Sequence, residues 1–393
     1  MKKRLIGLLA AGHIVTDINQ GALPALLPFL IAKHGLSYTA AATLILAANI
    51  SSSVIQPAFG YYADKIAALW IMPLGIFFAG AGLAVAGVMP EYWLIIVCVA
   101  ISGIGIAAYH PEAARLVNIS AGKKKATGVS TFAAGGNIGF ACGPIIATLI
   151  LSAVGINGTL FLLIPVTVIA ALFTVNLKRI AESEKNSLAL ENIRSDNLPE
   201  DDWNAFAKLT GAVICRSIIF FGLNTFLPLY WIDVLKQSRI AGSTALTGLL
   251  LLGAFVTLIT GRLSDTYGHR KMIILGFAAM IPSMLIFANV RSLVLSTIML
   301  VPIGFSIFAS FSPMVVLGQR YIPRHMGLAS GVTLGLAISI GGIFTPVWGL
   351  IADHFGLKAV MECMAILPVA ALFIALKLPA PKAHCAAFGT TEI

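Results

Sequence analysis

A histidine and an aspartate four residues apart, His13 and Asp17, stand inside the first long apolar stretch of the chain. On a helix that spacing puts them on one face. At 1.5 Å per residue Asp17 lies about 18 Å along the stretch, close to the middle of a membrane. A carboxylate at that depth is costly to keep ionised unless it is paired or hydrated, so gaining and losing a proton is the chemistry it suits. A histidine one turn away tunes or shares that proton. The plainer alternative is that the two side chains hydrogen-bond each other and a neighbouring helix.

Arg216 sits about eight residues into the seventh apolar stretch, the counterpart of the region that holds His13 and Asp17. A planar guanidinium suits a phosphonate, phosphate or carboxylate in bidentate contact. An ion pair with Asp17 fits the same placement, and substrate and proton can compete for one such pair. A third group is Tyr109-His110-Pro111-Glu112-Ala-Ala-Arg115. Proline interrupts the helical hydrogen-bond ladder there and turns polar groups toward a cavity. Glu112 and Arg115, three apart, can pair along the helix, and Arg115 fits a latch onto Asp64 in a nearby loop; His110 and Glu112 are the candidate proton-coupling or substrate contacts of this cluster. Gln56, Tyr109, Asn137, Asn224 and Tyr230 are the candidate polar wall residues of a binding cavity.

The elements that position these residues follow from composition. The chain has 393 residues, 58% of them hydrophobic and 11% charged, with mean hydropathy +0.93. A soluble chain of this size needs more charge to cover its surface. The apolar residues fall into twelve segments: 5–31, 39–62, 67–89, 92–117, 126–152, 156–177, 208–232, 243–263, 270–289, 292–318, 327–352 and 356–377. Each is long enough to cross the hydrocarbon core as a helix. The expected fold is an all-α integral membrane protein of twelve transmembrane helices in two six-helix pseudo-repeats. The first segment follows Lys2-Lys3-Arg4 but runs past signal-peptide length, and is expected to be a retained helix.

The repeat is written in the chain. Gly60-Tyr-Tyr-Ala-Asp64-Lys65 follows segment 2, and Gly261-Arg262-Leu-Ser-Asp265-Thr-Tyr-Gly-His-Arg270-Lys271 follows segment 8 as a fuller copy. Leu27-Pro28 matches Leu227-Pro228, and Ala126-Thr-Gly-Val-Ser130 matches Ala329-Ser-Gly-Val-Thr333. The expected halves are 1–177 and 208–378, joined by a polar linker over 178–207 and followed by a flexible tail at 379–393. Parallel repeats of this kind build transporters with a site between the halves and alternating access.

The formal net charge of +10 reflects topology rather than nucleic-acid binding. With the N-terminus in the cytoplasm, 20 of the 26 Lys+Arg fall on the cytoplasmic side. Five lie outside (Lys33, Lys236, Arg239, Arg291, Lys358) and Arg216 lies within a helix. Both termini are therefore expected to be cytoplasmic, in a cell inner membrane. The five cysteines show no paired spacing and no zinc motif. No cofactor and no metal is expected; a divalent-cation carrier using His13, Asp17, His110 and Glu112 lacks ligand spacing and has Arg216 against it. No nucleophile elbow, His-Glu-x-x-His or phosphate-cradling loop speaks for an enzyme. A monomer is expected, since each chain holds both halves.

The repeated Gly-x-x-x-Asp loops followed by basic residues resemble the signature of the major facilitator superfamily. In that reading Asp64, Lys65, Gly261, Arg262, Asp265, Arg270 and Lys271, with Arg115, serve gating and topology. Gly139-Phe-Ala-Cys-Gly143-Pro144 is similar to an element of the superfamily's drug/proton antiporters, and with Gly135 and Gly136 it forms a small-residue packing stripe. Val99 stands where those antiporters usually carry an arginine, four residues before Gly103-Ile-Gly105. A narrower resemblance is to the fosmidomycin-resistance family. It rests on Gly12-His13-x-x-x-Asp17, Gln56-Pro57-x-x-Gly60, Tyr109-His110-Pro111-Glu112-x-x-Arg115, Gly135-Gly136-Asn137-x-Gly139, Arg216-Ser217 and Thr225-Phe-Leu-Pro-Leu229. That resemblance implies proton-driven export of a phosphonate antibiotic and related drugs. An importer of an organic anion or siderophore on the same fold is the alternative.

Overall fold

The computed structural model describes residues 3–56, 59, 69–121, 125–188, 200–325, 328–329, 332–333 and 337–379. Asp64, Lys65 and the tail from 380 onward lie outside the described residues. The described residues are almost wholly helical and contain no strand. Helix satisfies every backbone polar group within its own segment, which is what hydrocarbon demands.

The N-terminal half consists of α1 (Lys3–His34), α2 (Tyr38–Asn49, continued by a π-helical turn at Ile50–Val54), α3 (Ile71–Ala86), α4 (Tyr92–Ala121), α5 (Lys125–Val154) and α6 (Leu163–Leu188). The C-terminal half consists of α7 (Trp203–Asp233), α8 (Arg239–Tyr267), α9 (His269–Asn289), α10 (Leu293–Ala309), α11 (Phe311–Tyr321), α12 (Ala337–Ile343), α13 (Thr345–Met364) and α14 (Leu367–Leu376). Helices α10 and α11 form one crossing, and α13 turns back at Gly356, whose φ of 82° ends one crossing and starts the next. The elements are thus consistent with twelve crossings.

The helices outrun the apolar segments. The expected polar loop at Gly261–Lys271 is not a loop: α8 continues to Tyr267, and the turn is the single residue Gly268 at φ 95°. Likewise α6 reaches Leu188 and α7 begins at Trp203, so the segment between them is shorter than 178–207. Hydropathy marks where a helix leaves lipid, whereas Glu, Lys and Ala go on favouring helix in water. Nor does Pro111 break α4, which runs through it to Ala121. In a packed bundle neighbouring groups make up for the one lost amide.

Each half has its own core. Leu26, Leu30, Leu44 and Ile95 form one cluster of the N-terminal half, and Leu9, Tyr109, Leu116 and Phe173 another. Phe226, Phe277, Met284, Leu317 and Met361 centre the C-terminal half. Val97, Ile101 and Ile104 form an exposed apolar stripe at helical spacing on α4, suited to lipid. The internal repeat persists in the backbone: Ser37 caps α2 by accepting from the Ala40 amide, and Ser238, 201 positions on, caps α8 by accepting from the Ala241 amide. The residues two positions before them, Gly35 and Lys236, both adopt positive φ.

Helix α5 packs against α1 at backbone distance. A methyl group on Gly139 would fall 2.2 Å from the Ile14 carbonyl oxygen, and one on Gly143 2.4 Å from that of Ile18. Pro144 lies within the same helix. Among the described residues, hydrogen bonds between the halves gather at the end of the bundle where α1 finishes. There Asp353 of α13 accepts from the backbone amides of Tyr38 (2.7 Å) and Thr39 (2.9 Å) and from the Thr39 hydroxyl. The Tyr38 hydroxyl donates to Asp233 at 2.7 Å, and Thr148 bonds Ser243. The Asp353 carboxylate and Ser37 therefore share the task of capping α2.

Candidate functional site

Asp17 is 9% exposed and is held between two imidazoles. His13 Nε2, one turn earlier on α1, lies 3.2 Å from Oδ2. His110 Nε2, from α4, lies 3.0 Å from Oδ1. The other nitrogen of His13, Nδ1, lies 2.8 Å from the carbonyl oxygen of Phe132 on α5. A carbonyl only accepts, so Nδ1 carries a proton. Two forms then remain for the far side of the ring. Either Nε2 is protonated and Asp17 ionised, or Nε2 is bare and the carboxyl carries the proton. In both, one proton lies between Nε2 and Oδ2.

Three elements thus build one proton-holding group. The Phe132 ring stacks on His13 at 4.0 Å and 25°, fixing the plane of the imidazole. Gly136 supplies the space: a methyl group there would fall 2.4 Å from His13 Nε2 and 2.7 Å from Asp17 Oδ2. One donor atom from each of His13, Asp17 and His110 lies within 4.8 Å of the others, within reach of a single transition ion. Each carboxylate oxygen faces its own imidazole nitrogen at hydrogen-bond distance, so the three side chains also satisfy one another with hydrogen bonds alone.

In the other half, Arg216 of α7 is 4% exposed. Its guanidinium donates to the Ile307 carbonyl at 3.2 Å and lies over the Phe311 ring at 4.8 Å. Its Nε–H has no partner, and among the described residues no carboxylate pairs with it. The expected alternative of an Arg216–Asp17 ion pair is not formed, because Asp17 is occupied by the two histidines of its own half. Arg216 instead lines a cavity of about 170 Å³ between the halves, with Asn137 and Phe140 of α5 facing Phe220, Leu250, Thr257 and Phe308. A buried cation without a counter-charge is expensive, and an anion entering the cavity would relieve that cost.

The remaining expected site residues fall in different places. Glu112, 2% exposed, takes a bidentate pair from Arg115 on its own helix, at 3.0 and 2.6 Å. Asn224 lines a second cavity of about 30 Å³, where it joins Asn19, Gln20, Asn49, Ser52 and Ser102 on a wall that is otherwise apolar. Tyr109 is fully buried and donates to the Leu9 carbonyl, and Tyr230 packs against Phe287 within its own half, so neither lines a described cavity. Gln56 is half-buried. Gly261, Arg262 and Asp265 belong to α8, but their side chains lie outside the described residues. Arg270 donates to the Leu376 carbonyl at 2.7 Å, and Lys271 is exposed.

The profile of a family described as the Major Facilitator Superfamily matches residues 9–346. The chain belongs to this superfamily. It is similar to the uncharacterized MFS-type transporter YfnC of Bacillus subtilis strain 168, with 30% identity over 381 residues covering 94% of this chain and 91% of the relative. It is also similar to the fosmidomycin resistance protein of Escherichia coli K12, with 26% identity over 373 residues covering 93% and 90%. Among solved structures, a bacterial homolog of the human lysosomal transporter Spinster superposes with TM-score 0.81 in an inward-facing, unoccupied conformation, covering 95% of this chain and 96% of that one. The occupied form of that homolog gives 0.79. At 15% and 14% identity these show a shared fold. The protein is a multi-pass membrane transporter of the major facilitator superfamily.

Several residues of the site carry no sequence signal. Phe140, Phe220, Phe308 and Phe311 are apolar residues in apolar helices, and their types do not tell a lipid-facing ring from a cavity wall. The Phe132 carbonyl is a backbone group. Asp353 is an acid just past segment 11, and nothing local in the sequence connects it to α2.

Proposed function

We propose that the protein is a proton-coupled exporter of a small organic anion working by alternating access. The observation that carries this reading is the buried Arg216, without a carboxylate partner, on the wall of a cavity between the halves. Asp17, His13 and His110 are the proton-coupling group, and Arg216 with Asn137 holds the substrate. Both termini face the cytoplasm, following the Lys+Arg distribution. The bonds at the far end of α1 then close the outer face, and the cavity is the inward-loading state. The likeness to a fosmidomycin resistance protein supports export. Glu112 and Arg115, paired on α4, and the repeated motifs at Asp64–Lys65 and Gly261–Lys271 govern movement of the cytoplasmic ends.

The cycle needs few parts. The anion enters from the cytoplasm and neutralises Arg216. The halves rock, the outer face opens, and a proton from outside joins the Asp17 group. That proton is released inside after the anion has left. Asn137 is the residue next to Gly136, so α5 touches both charges and transmits the state of one to the other.

Everted vesicles with an acid interior, given labelled fosmidomycin and then a panel of organic anions, test this. The reading requires anion uptake that collapses with a protonophore, in Asp17→Asn and in Arg216→Ala. Uptake indifferent to the pH gradient, or intact in Arg216→Ala, would sink it. Uptake only in right-side-out vesicles would reverse the direction.

A further inference from the structure

We propose that the anion carried at Arg216 is a monoanion bearing one aromatic ring or an apolar body of that size, of the aryl-carboxylate class, rather than a strongly hydrated phosphonate. This rests on the proposed function and deepens it. Four phenyl rings line the cavity that the guanidinium enters. Phe311 lies under the guanidinium, and Phe140, Phe220 and Phe308 line the same cavity. Phe140 stacks on Phe220 across the halves at 6.4 Å and 26°, and Phe220 meets Phe308 edge-on at 5.8 Å. Leu250 and Ala254 complete the wall, and the polar groups on it are Arg216, Asn137 and Thr257.

Chemistry and size point to the same class. One guanidinium fork satisfies one carboxylate, and the Asn137 amide adds a neutral hydrogen bond, while the Thr257 hydroxyl is already donated to the Gly253 carbonyl. A doubly charged phosphonate has three oxygens to satisfy and no second cation among the cavity's lining residues. Its remaining water would be stripped against phenyl faces, which costs free energy without compensation. The volume, about 170 Å³, is close to the roughly 150 Å³ apolar cavity that accepts benzene. A ring with a short carboxylate arm fits that space, and the phenyl walls recover the burial of its apolar surface.

The test uses the purified full-length protein in detergent. Affinities are measured by competition against labelled phenylacetate, with acetate, methylphosphonate and the neutral benzyl alcohol as competitors. Phenylacetate should bind at least about tenfold more tightly than acetate or methylphosphonate. Phe220→Ala and Phe308→Ala should erase most of the preference over acetate. Methylphosphonate binding as tightly as phenylacetate, with both lost in Arg216→Ala, would overturn the substrate class and leave the anion site standing. Benzyl alcohol matching phenylacetate, with Arg216→Ala unaltered, would overturn the anion site as well. A preference for phenylacetate that survives both phenylalanine substitutions would overturn the assignment of the ring to this cavity.

Discussion

Gly136 on α5 and Asp17 on α1 approach so closely that a single methyl group on the glycine would fall 2.7 Å from the carboxylate. The proton-holding group is therefore shaped by a side chain that is absent. Gly136→Ala should push the His13–Asp17 pair out of register with His110 while leaving the rest of the α1–α5 contact in place. We expect proton-driven uptake to fall at least about tenfold, with the melting temperature of the purified protein lowered by only a few degrees. Unchanged uptake would show that the pair tolerates displacement.

Asp17→Asn keeps the shape of the side chain but not its charge. The variant should still exchange labelled for unlabelled substrate across the membrane, because Arg216 and its cavity are untouched. It should lose accumulation against a gradient. Measuring exchange and accumulation side by side separates a coupling defect from a binding defect; loss of both would argue that Asp17 belongs to the substrate site.

Arg216→Met separates function from stability. Replacing a buried charge that has no carboxylate partner by an apolar side chain of similar length removes a desolvation cost. The purified variant should melt no lower than the parent, and should be stabilised by about 1 kcal/mol or more. Transport should be lost. A variant that melts well below the parent would mean that the bond to the Ile307 carbonyl and the contact with Phe311 are structural needs.

Asp353→Asn tests the closure at the far end of α1. The amide accepts fewer and weaker hydrogen bonds than the carboxylate that holds the first turn of α2. In a background without cysteines, Ser243→Cys at the Thr148 contact should become several-fold more reactive to a membrane-impermeant maleimide added from that side. Equal labelling with and without Asp353 would place the closure elsewhere.

Much of this architecture was legible from local patterns. Asp17 and Arg216 stood out because charge in an apolar stretch is rare, and they occupy similar depths in α1 and α7. The 201-residue offset that relates Gly60 to Gly261 also relates Ser37 to Ser238. What stayed hidden depends on contacts distant in sequence. His110 meets Asp17 across 93 residues, and Asp353 meets Thr39 across 314. A pattern of types within one helix cannot specify which face meets which neighbour. Gly261–Tyr267 was mistaken for a loop for a related reason: its polar residues leave the membrane without leaving the helix.

The cap on α2 has one further consequence. In the proposed cycle half of that cap belongs to the half that moves away, so each opening of the outer face would leave the first turn of a helix with bare amides. Gate opening is then coupled to fraying, and the barrier between the two states contains a piece of the folding energy of α2. Substitutions that strengthen or weaken that turn on its own, at Ser37 for example, should change how often the transporter cycles without touching substrate, proton or the opposing half.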